Sequence, residues 1–277
     1  MRIIEQEQII EAVAKMCIES NIYPDKDIHE GLVAARLRET SPLAQFALDS
    51  ILKNADVAKR ENLPLCQDTG MAVVFVEIGT EVHVNGNISE AINAGVRKGY
   101  KEGFFRNSVV ADPLNRINTG DNTPAVIHYD FVPGGELLIT VAPKGFGSEN
   151  MSAVIMLNPS DGISGVEDFA VECVRKAGAN PCPPIIVGVG IGGTIEKAAL
   201  LAKQALLCKR DDSLSQHESM ETRLLERINA LGIGAAGFGG ETTALSVKVL
   251  TYPTHIAGLP VAVNIGCHAS RHARCRI

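Results

Sequence analysis

Residues 185–209 read IIVGVGIGGTIEKAALLAKQALLCK, and this stretch decides how the rest of the chain is organised. The apolar, β-branched run Ile185–Gly190 predicts a strand, and Gly192-Gly193 break it. From Thr194, an N-cap candidate, apolar residues recur at helical spacing through Cys208. A strand, a glycine break and a helix in succession predict layered α/β packing. Gly188, Gly190 and Gly193 also satisfy the G-x-G-x-x-G spacing of a dinucleotide loop. That motif requires a further strand with an acidic residue about 20 positions later. Here the helix runs into polar Lys209-Arg210-Asp211-Asp212 instead. Two readings follow: a Rossmann-like nucleotide-binding protein, or glycines that let a helix lie close against a sheet.

Working outward, the chain reads as helix to about residue 61, with Ser41-Pro42 as an N-cap and first-turn pair. The run MAVVFVEIG (71–79) and the short EVHV (81–84) are β-like, and ISEAINAGVRKGYKEG (88–103) is helical. AVIHYDFV (125–132), a turn at Pro133-Gly134-Gly135 and the apolar run beginning at Glu136 predict a β-hairpin. Beyond it come a helix in GVEDFAVECVRKAG (165–178), the 185–209 unit, and a charged stretch over 209–219. A helix near 221–231, a glycine-rich loop over 231–243 and strands near 244–253 and 259–266 follow. The last residues, with Arg271, Arg274 and Arg276, read as a frayed basic end. No repeat or linker divides the sequence. The expected architecture is one mixed α/β (α+β) domain over 1–277: a helical N-terminal part over about 1–61, then mixed sheets flanked by helices over about 62–277.

The 277 residues suffice for a core without disulfides, and 45% hydrophobic with 21% charged excludes a disordered chain. With 26 Lys and Arg against 32 Asp and Glu, the net charge is −6, so nucleic acid and anionic membranes are not expected partners. An anionic substrate would need a local cationic pocket. The acid-bearing N-terminus does not have the pattern of a signal peptide, and no apolar run is long enough to span a bilayer, which predicts a cytoplasmic protein.

Seven scattered cysteines argue against a disulfide framework. Cys17, Cys173 and Cys208 lie within helical apolar patterns, where a thiol acts as a small hydrophobe. Cys66, Cys182 and Cys267 sit at breaks instead: LPLCQDTG, NPCPPII and NIGCHAS. Spacings of 116 and 85 residues fit no local finger or ferredoxin pattern, so these three could meet only through folding. Three thiolates can hold a cubane iron–sulfur cluster and leave one iron open as a Lewis acid. Cys267, His268, His272 and Cys275 are a second possible set, for structural zinc.

The segments Cys66-Gln67-Asp68-Thr69-Gly70, Asn118-Thr119-Gly120-Asp121-Asn122, Asn180-Pro181-Cys182-Pro183-Pro184 and Asn264-Ile265-Gly266-Cys267 resemble the class I fumarase and tartrate dehydratase family of iron–sulfur hydro-lyases. The likeness covers most of the chain, in order, and is to the α subunit or the N-terminal cluster-binding domain. It implies that Cys66, Cys182 and Cys267 ligate a [4Fe-4S] cluster with one iron not ligated by protein. It also implies that Gln67 and Asp68 lie beside substrate, with Asp68 in the proton transfer. Taken alone, Asp68 is equally a turn cap before Thr-Gly. Arg106 falls near the family's carboxylate-binding arginine and, as a lone residue, is also an ordinary surface arginine. His255, twelve residues before Cys267, matches a substrate-contacting histidine. The loop Lys144–Asn150, with Gly145 and Gly147, matches one whose backbone N–H groups face substrate, although a plain turn is the simpler reading.

The resemblance implies reversible hydration and dehydration of a small dicarboxylate. The loop over 144–152 suggests fumarate to malate, with L-tartrate dehydratase as the near alternative. Ten residues follow Cys267, where single-chain relatives continue into a second domain. The expected partner is therefore a separate β subunit, in an α2β2 assembly, without which turnover is lost.

Overall fold

The structure, a computed structural model, describes residues 2–209 and 217–277. In chain order its elements are β1 (Arg2–Glu5), α1 (Gln6–Ile22), α2 (Lys26–Arg38), α3 (Pro42–Glu61), β2 (Met71–Gly79), β3 (Val82–Asn85), α4 (Ile88–Glu102), β4 (Val126–Val132) and β5 (Leu137–Lys144). They continue with α5 (Phe146–Glu149), β6 (Ala153–Leu157), α6 (Gly162–Ala177), β7 (Ile185–Gly192), α7 (Ile195–Ala205), α8 (Glu218–Asn229), β8 (Ala244–Tyr252), β9 (Leu259–Gly266) and β10 (Ala273–Arg276). The mixed α/β class is as expected. No helix among the described residues is long and apolar enough to cross a membrane.

The chain groups into two compact units. The first comprises residues 1–25, 55–146 and 271–277, and the second comprises 26–54 and 147–270. In the first, a sheet of order β10-β5-β2-β4 lies beside the pair β1-β3. Ala72, Val74 and Val76 of β2, with Leu137, Ile139 and Val141 of β5, share a core with Val13, Met16 and Cys17 of α1 and Ile92 and Val96 of α4. Asn87 caps α4, its side chain accepting from the Ser89 and Glu90 amides.

Three expectations are corrected here. β4 and β5 do not form a hairpin: both flank β2, β4 in parallel and β5 antiparallel. The reason is burial. Ala72–Val76 of β2 are buried on both faces, so β2 needs a neighbour on each side, whereas the largely exposed β4 suits an edge. The Pro133–Glu136 turn carries the chain across the end of β2, where the Gly79 amide donates to the Glu136 carbonyl and that of Glu81 to Gly134. A Cβ at Gly79 would stand 2.4 Å from the Gly134 carbonyl oxygen, so only glycine admits this crossing. The first residues are also not helical: Arg2–Glu5 pair in parallel with Val82–Asn85, and α1 begins at a capping box in which the Glu5 amide donates to Gln8. Finally, the C-terminal segment is not frayed. β10 pairs antiparallel with β5, and Arg271 is 5% exposed.

In the second unit the sheet order is β6-β9-β7-β8, with β7 parallel to β8 and antiparallel to β9. Strand periodicity sends Ile185, Val187 and Val189 into a core with Val166, Ala170 and Val174 of α6 and Leu224 and Ile228 of α8. The alternate residues face the other layer. A Cβ at Gly188 would meet the Ala202 carbonyl oxygen at 2.1 Å, and one at Gly190 would meet that of Ala198 at 2.1 Å. Both glycines lie within β7 itself, pressed against α7, rather than in the turn to the helix where a phosphate would bind. The glycine spacing is a packing device, and the mixed sheet is not the doubly wound parallel sheet of a Rossmann fold. Thr194 does stand at the N-cap of α7, although its hydroxyl donates to Glu196. α3 begins at Pro42 as expected, with the Gln45 amide donating to the Ser41 carbonyl. Cys17 and Cys173 are buried, whereas Cys208 lies past the end of α7 and is only half-buried. Of the charged stretch over 209–219, residues 210–216 lie outside the described residues.

Candidate functional site

In the first unit, the segment Cys66–Gly70 enters β2 with its carbonyls clamped from three directions. Arg271 donates to the Asp68 carbonyl (2.8 Å), and the Tyr100 hydroxyl is shared between those of Thr69 (2.7 Å) and Gly70 (2.9 Å). Asn122 donates to Gly70 as well (3.1 Å). Tyr100 is 1% exposed, and burial pushes its hydroxyl well above the ordinary range, so it remains a neutral donor. With its backbone pinned inward, the segment leaves Gln67 exposed and Cys66 and Asp68 half-buried. The Asp68 amide points to the Cys66 sulfur at 3.4 Å.

Both carboxylate oxygens of Asp68 are engaged, Oδ1 by the Gly70 amide (3.0 Å) and Oδ2 by the Phe146 amide (2.8 Å). Asp68 therefore is a turn cap. Each oxygen retains a further lone pair, so the cap also presents an oriented acceptor. Gly145 packs against it: a Cβ there would stand 3.2 Å from Oδ2. Thr69 Oγ1 donates to the Arg106 carbonyl and Asn122 accepts from the Ser108 amide, so the loop carrying Arg106 is tied to the Cys66–Gly70 segment. The Arg106 side chain is exposed.

The Asn118–Asn122 motif is the knot that holds these loops. Asn118 accepts from Gly120 and donates to the Asn107 carbonyl, and Asn107 donates back to Gly120. Burial alone would raise the Asp121 carboxyl, but Arg97 at 2.7 Å and the hydroxyl and amide of Thr123 bring it down to about 2. A folded-state value below the unfolded one, about 3.9, gives stability that is fully present above pH 4 and lost as pH falls toward 2. Asp121→Asn is therefore expected to unfold more easily than wild type in urea at pH 7, with the difference narrowing between about pH 4 and pH 2. A difference independent of pH over that range would contradict the assignment.

In the second unit the antiparallel pairing of β7 and β9 brings together residues up to 80 positions apart. Ile186 lies opposite Gly266, so the start of β7 and the end of β9 lie at the same end of the sheet. Cys182 precedes that start and Cys267 follows that end. Cys182 has φ +56°, its amide donates to Ala179, and its carbonyl receives the His268 amide and ring Nδ1. The glycine-rich loop supports the same turn, with the Ala236 amide donating to Pro183 (2.8 Å). Gly147 lies beside it, a Cβ there being 3.6 Å from the Asn180 carbonyl oxygen. His255 is placed elsewhere. It is exposed in the loop before β9, so the strand's eight residues, roughly 26 Å, separate it from the Cys267 end.

Several contributors were not singled out from sequence. Lys203 of α7 pairs with Glu149 (2.6 Å), which also accepts from Asn264 (3.1 Å), bracketing the 144–150 loop and the Asn264–Cys267 segment. Tyr100 and Arg271 likewise emerge only with the fold, since each is sequence-distant from the carbonyl it binds. His272 of the possible zinc set faces Asp25 at 2.8 Å, and Cys275 is a β10 residue opposite Ile139.

Cys66, Cys182 and Cys267 all lie outside helices and strands, none is in a disulfide, and each is half-buried or exposed. Burial pushes Cys17 up to about 12 and Cys173 up to about 11, making them poor thiolates. Within neither unit, among the described residues, do three His, Cys, Asp or Glu side chains form a ready-made metal cage. Cys66 belongs to the first unit, and Cys182 and Cys267 belong to the second. The donor chemistry fits an iron–sulfur group and excludes the two core cysteines from it.

A family model described as "Fumarate hydratase (Fumerase)" matches residues 10–276. A protein of Methanocaldococcus jannaschii, provisionally named L(+)-tartrate dehydratase subunit alpha, is 43% identical over 279 residues, covering 98% of each chain. The L(+)-tartrate dehydratase subunit alpha of Escherichia coli strain K12 is 31% identical over 259 residues, covering 90% of this chain and 83% of its own. That of strain UTI89 is 31% identical over 265 residues, covering 92% and 85%.

Proposed function

The chain belongs to the fumarate hydratase (Fumerase) family, and on that premise we propose that it is the α subunit of an iron–sulfur hydro-lyase acting on L(+)-tartrate. The observation that carries the substrate is the 43% identity, over 98% of both chains, to a relative named for tartrate. This departs from the fumarate suggested by the 144–152 loop, since the more distant relatives in Escherichia coli are also named for tartrate. A loop that offers backbone N–H groups suits any dicarboxylate and does not discriminate between them. The relatives' names as alpha subunits support a β-type partner, for which α2β2 is the proposed assembly.

Cys66, Cys182 and Cys267 would hold a [4Fe-4S] cluster. When bound, its open iron supplies Lewis acidity toward a hydroxyl and a neighbouring carboxylate. The remaining work falls to side chains of this chain. The exposed Arg106 guanidinium offers a bidentate fork to a substrate carboxylate, as an acidic protein binding a dianion requires. Backbone amides around Gly145 and Gly147, with the Gln67 amide, orient the rest of the substrate. Asp68, held by two amides, presents an aligned carboxylate to accept the proton removed from carbon while the hydroxyl leaves the adjacent carbon with the bonding pair, the two together making up the one water lost. His255, the remaining expected contact, stands exposed at the other end of β9 from Cys267.

The test is an anaerobic assay of the full chain, alone and with its partner subunit, on L(+)-tartrate, L-malate and fumarate. The paired protein is expected to favour tartrate in kcat/KM by at least about tenfold, with little turnover by the chain alone. Faster conversion of fumarate or malate would return the assignment to fumarase, and full activity without a partner would remove the subunit proposal.

A further inference from the structure

We propose that His268 is a positioning residue, a latch that fixes the Cys182 and Cys267 loops relative to one another. The inference rests on the cluster reading above, because it explains how two of the three proposed ligands are held. The pairing of β7 with β9 ends at Ile186–Gly266, so Cys182 lies beyond the reach of the ladder. Its backbone is left-handed at φ +56°, a conformation a non-glycine residue keeps only where its surroundings impose it. Past the ladder, the two loops are joined through His268. Its amide points to the Cys182 carbonyl at 3.4 Å, and its ring Nδ1 lies 2.9 Å from the same oxygen.

A carbonyl oxygen can only accept, so in this contact the ring donates from Nδ1. The ring bond thus adds to a contact that the backbone already makes. It also attaches the residue directly after Cys267 to the carbonyl of Cys182 itself. Holding one donor at a fixed place relative to another is what a ligand pair needs from its supporting residues. The His268 ring is the side chain placed to do this, and neither the zinc set nor the substrate contacts account for it.

Wild type, His268→Leu and His268→Asn, each as the full chain with its partner subunit, are to be reconstituted anaerobically with iron and sulfide. Iron release to a ferrous chelator is then followed. Leucine removes the ring donor and is expected to speed release by about tenfold, while asparagine, which keeps a donor near the Nδ1 position, should stay within about twofold of wild type. Independently, nitrogen-15 NMR of histidine-labelled, metal-free wild-type chain is expected to show the proton on Nδ1 of His268. A wild type that holds iron beside a leucine variant that releases it no faster overturns the latch alone, as does a ring protonated on Nε2 and not on Nδ1. A wild type that takes up no iron overturns the cluster reading and, with it, the purpose of the latch.

Discussion

Cys66→Ser, Cys182→Ser and Cys267→Ser are each expected to reduce the iron and sulfide content of anaerobically prepared protein by more than about tenfold. Serine preserves shape but offers a hydroxyl that remains protonated where a thiolate is needed. The structure supplies internal controls. Cys17 is 0% exposed between α1 and α4, and Cys173 is 7% exposed, so neither thiol ionises readily or reaches solvent-borne iron. Cys17→Ser should keep its cluster and lose stability instead, by about 1–3 kcal/mol, because a hydroxyl buried in an apolar site lacks the partners it had in water. Colorimetric iron and sulfide analysis, with urea unfolding of the same samples, separates the two outcomes. Equal cluster content in all four variants would refute the ligand assignment.

Gly190→Val is expected to destabilise the second unit by about 3 kcal/mol or more. The added Cβ would stand 2.1 Å from the Ala198 carbonyl oxygen, 2.5 Å from the Ala202 amide nitrogen and 2.8 Å from the Leu201 Cβ. Two of these are backbone atoms of α7, which cannot rotate aside, so β7 and α7 would have to separate. Ala198, Ala202 and Ala262 form a buried contact at this place, and any separation opens it. Gly258→Ala is the control: its nearest neighbours would be 3.9 Å away, and the change should be nearly neutral. If the glycines instead bound a nucleotide, Gly190→Val would abolish nucleotide binding while leaving the unfolding midpoint in place. Unfolding curves and a nucleotide-binding titration on both variants decide the matter.

Local patterns in the sequence located most elements because they depend on nearby residues. The 3.6-residue spacing over 88–103 and 165–178, the Ser41-Pro42 start and the apolar run 185–190 all became the elements they predict. Strand order was not legible in this way. Pro133-Gly134-Gly135 is a genuine turn, but whether it joins neighbours or carries the chain past a third strand is decided by the burial of β2, some 60 residues earlier. The candidate site divides along the same line. Cys66, Asp68 and Cys182 stand out because breaks and prolines surround them. Tyr100 and Arg271 look like an ordinary helix residue and a terminal arginine until folding sets them on the Asp68–Gly70 carbonyls. The 144–152 loop does not tell fumarate from tartrate for a related reason: backbone amides in a glycine loop answer to carboxylates in general.

The bond from Arg271 to the Asp68 carbonyl spans 203 residues of chain. During synthesis Cys66 is therefore made long before the side chain that steadies its neighbour exists. Tyr100 and Asn122 can hold the Thr69 and Gly70 carbonyls much earlier, so the Asp68 carbonyl is the last of the three to gain its partner. On the proposed ligand set, iron and sulfide delivered to a ribosome-bound chain would find the third thiol only at residue 267, and the Arg271 clamp four residues later.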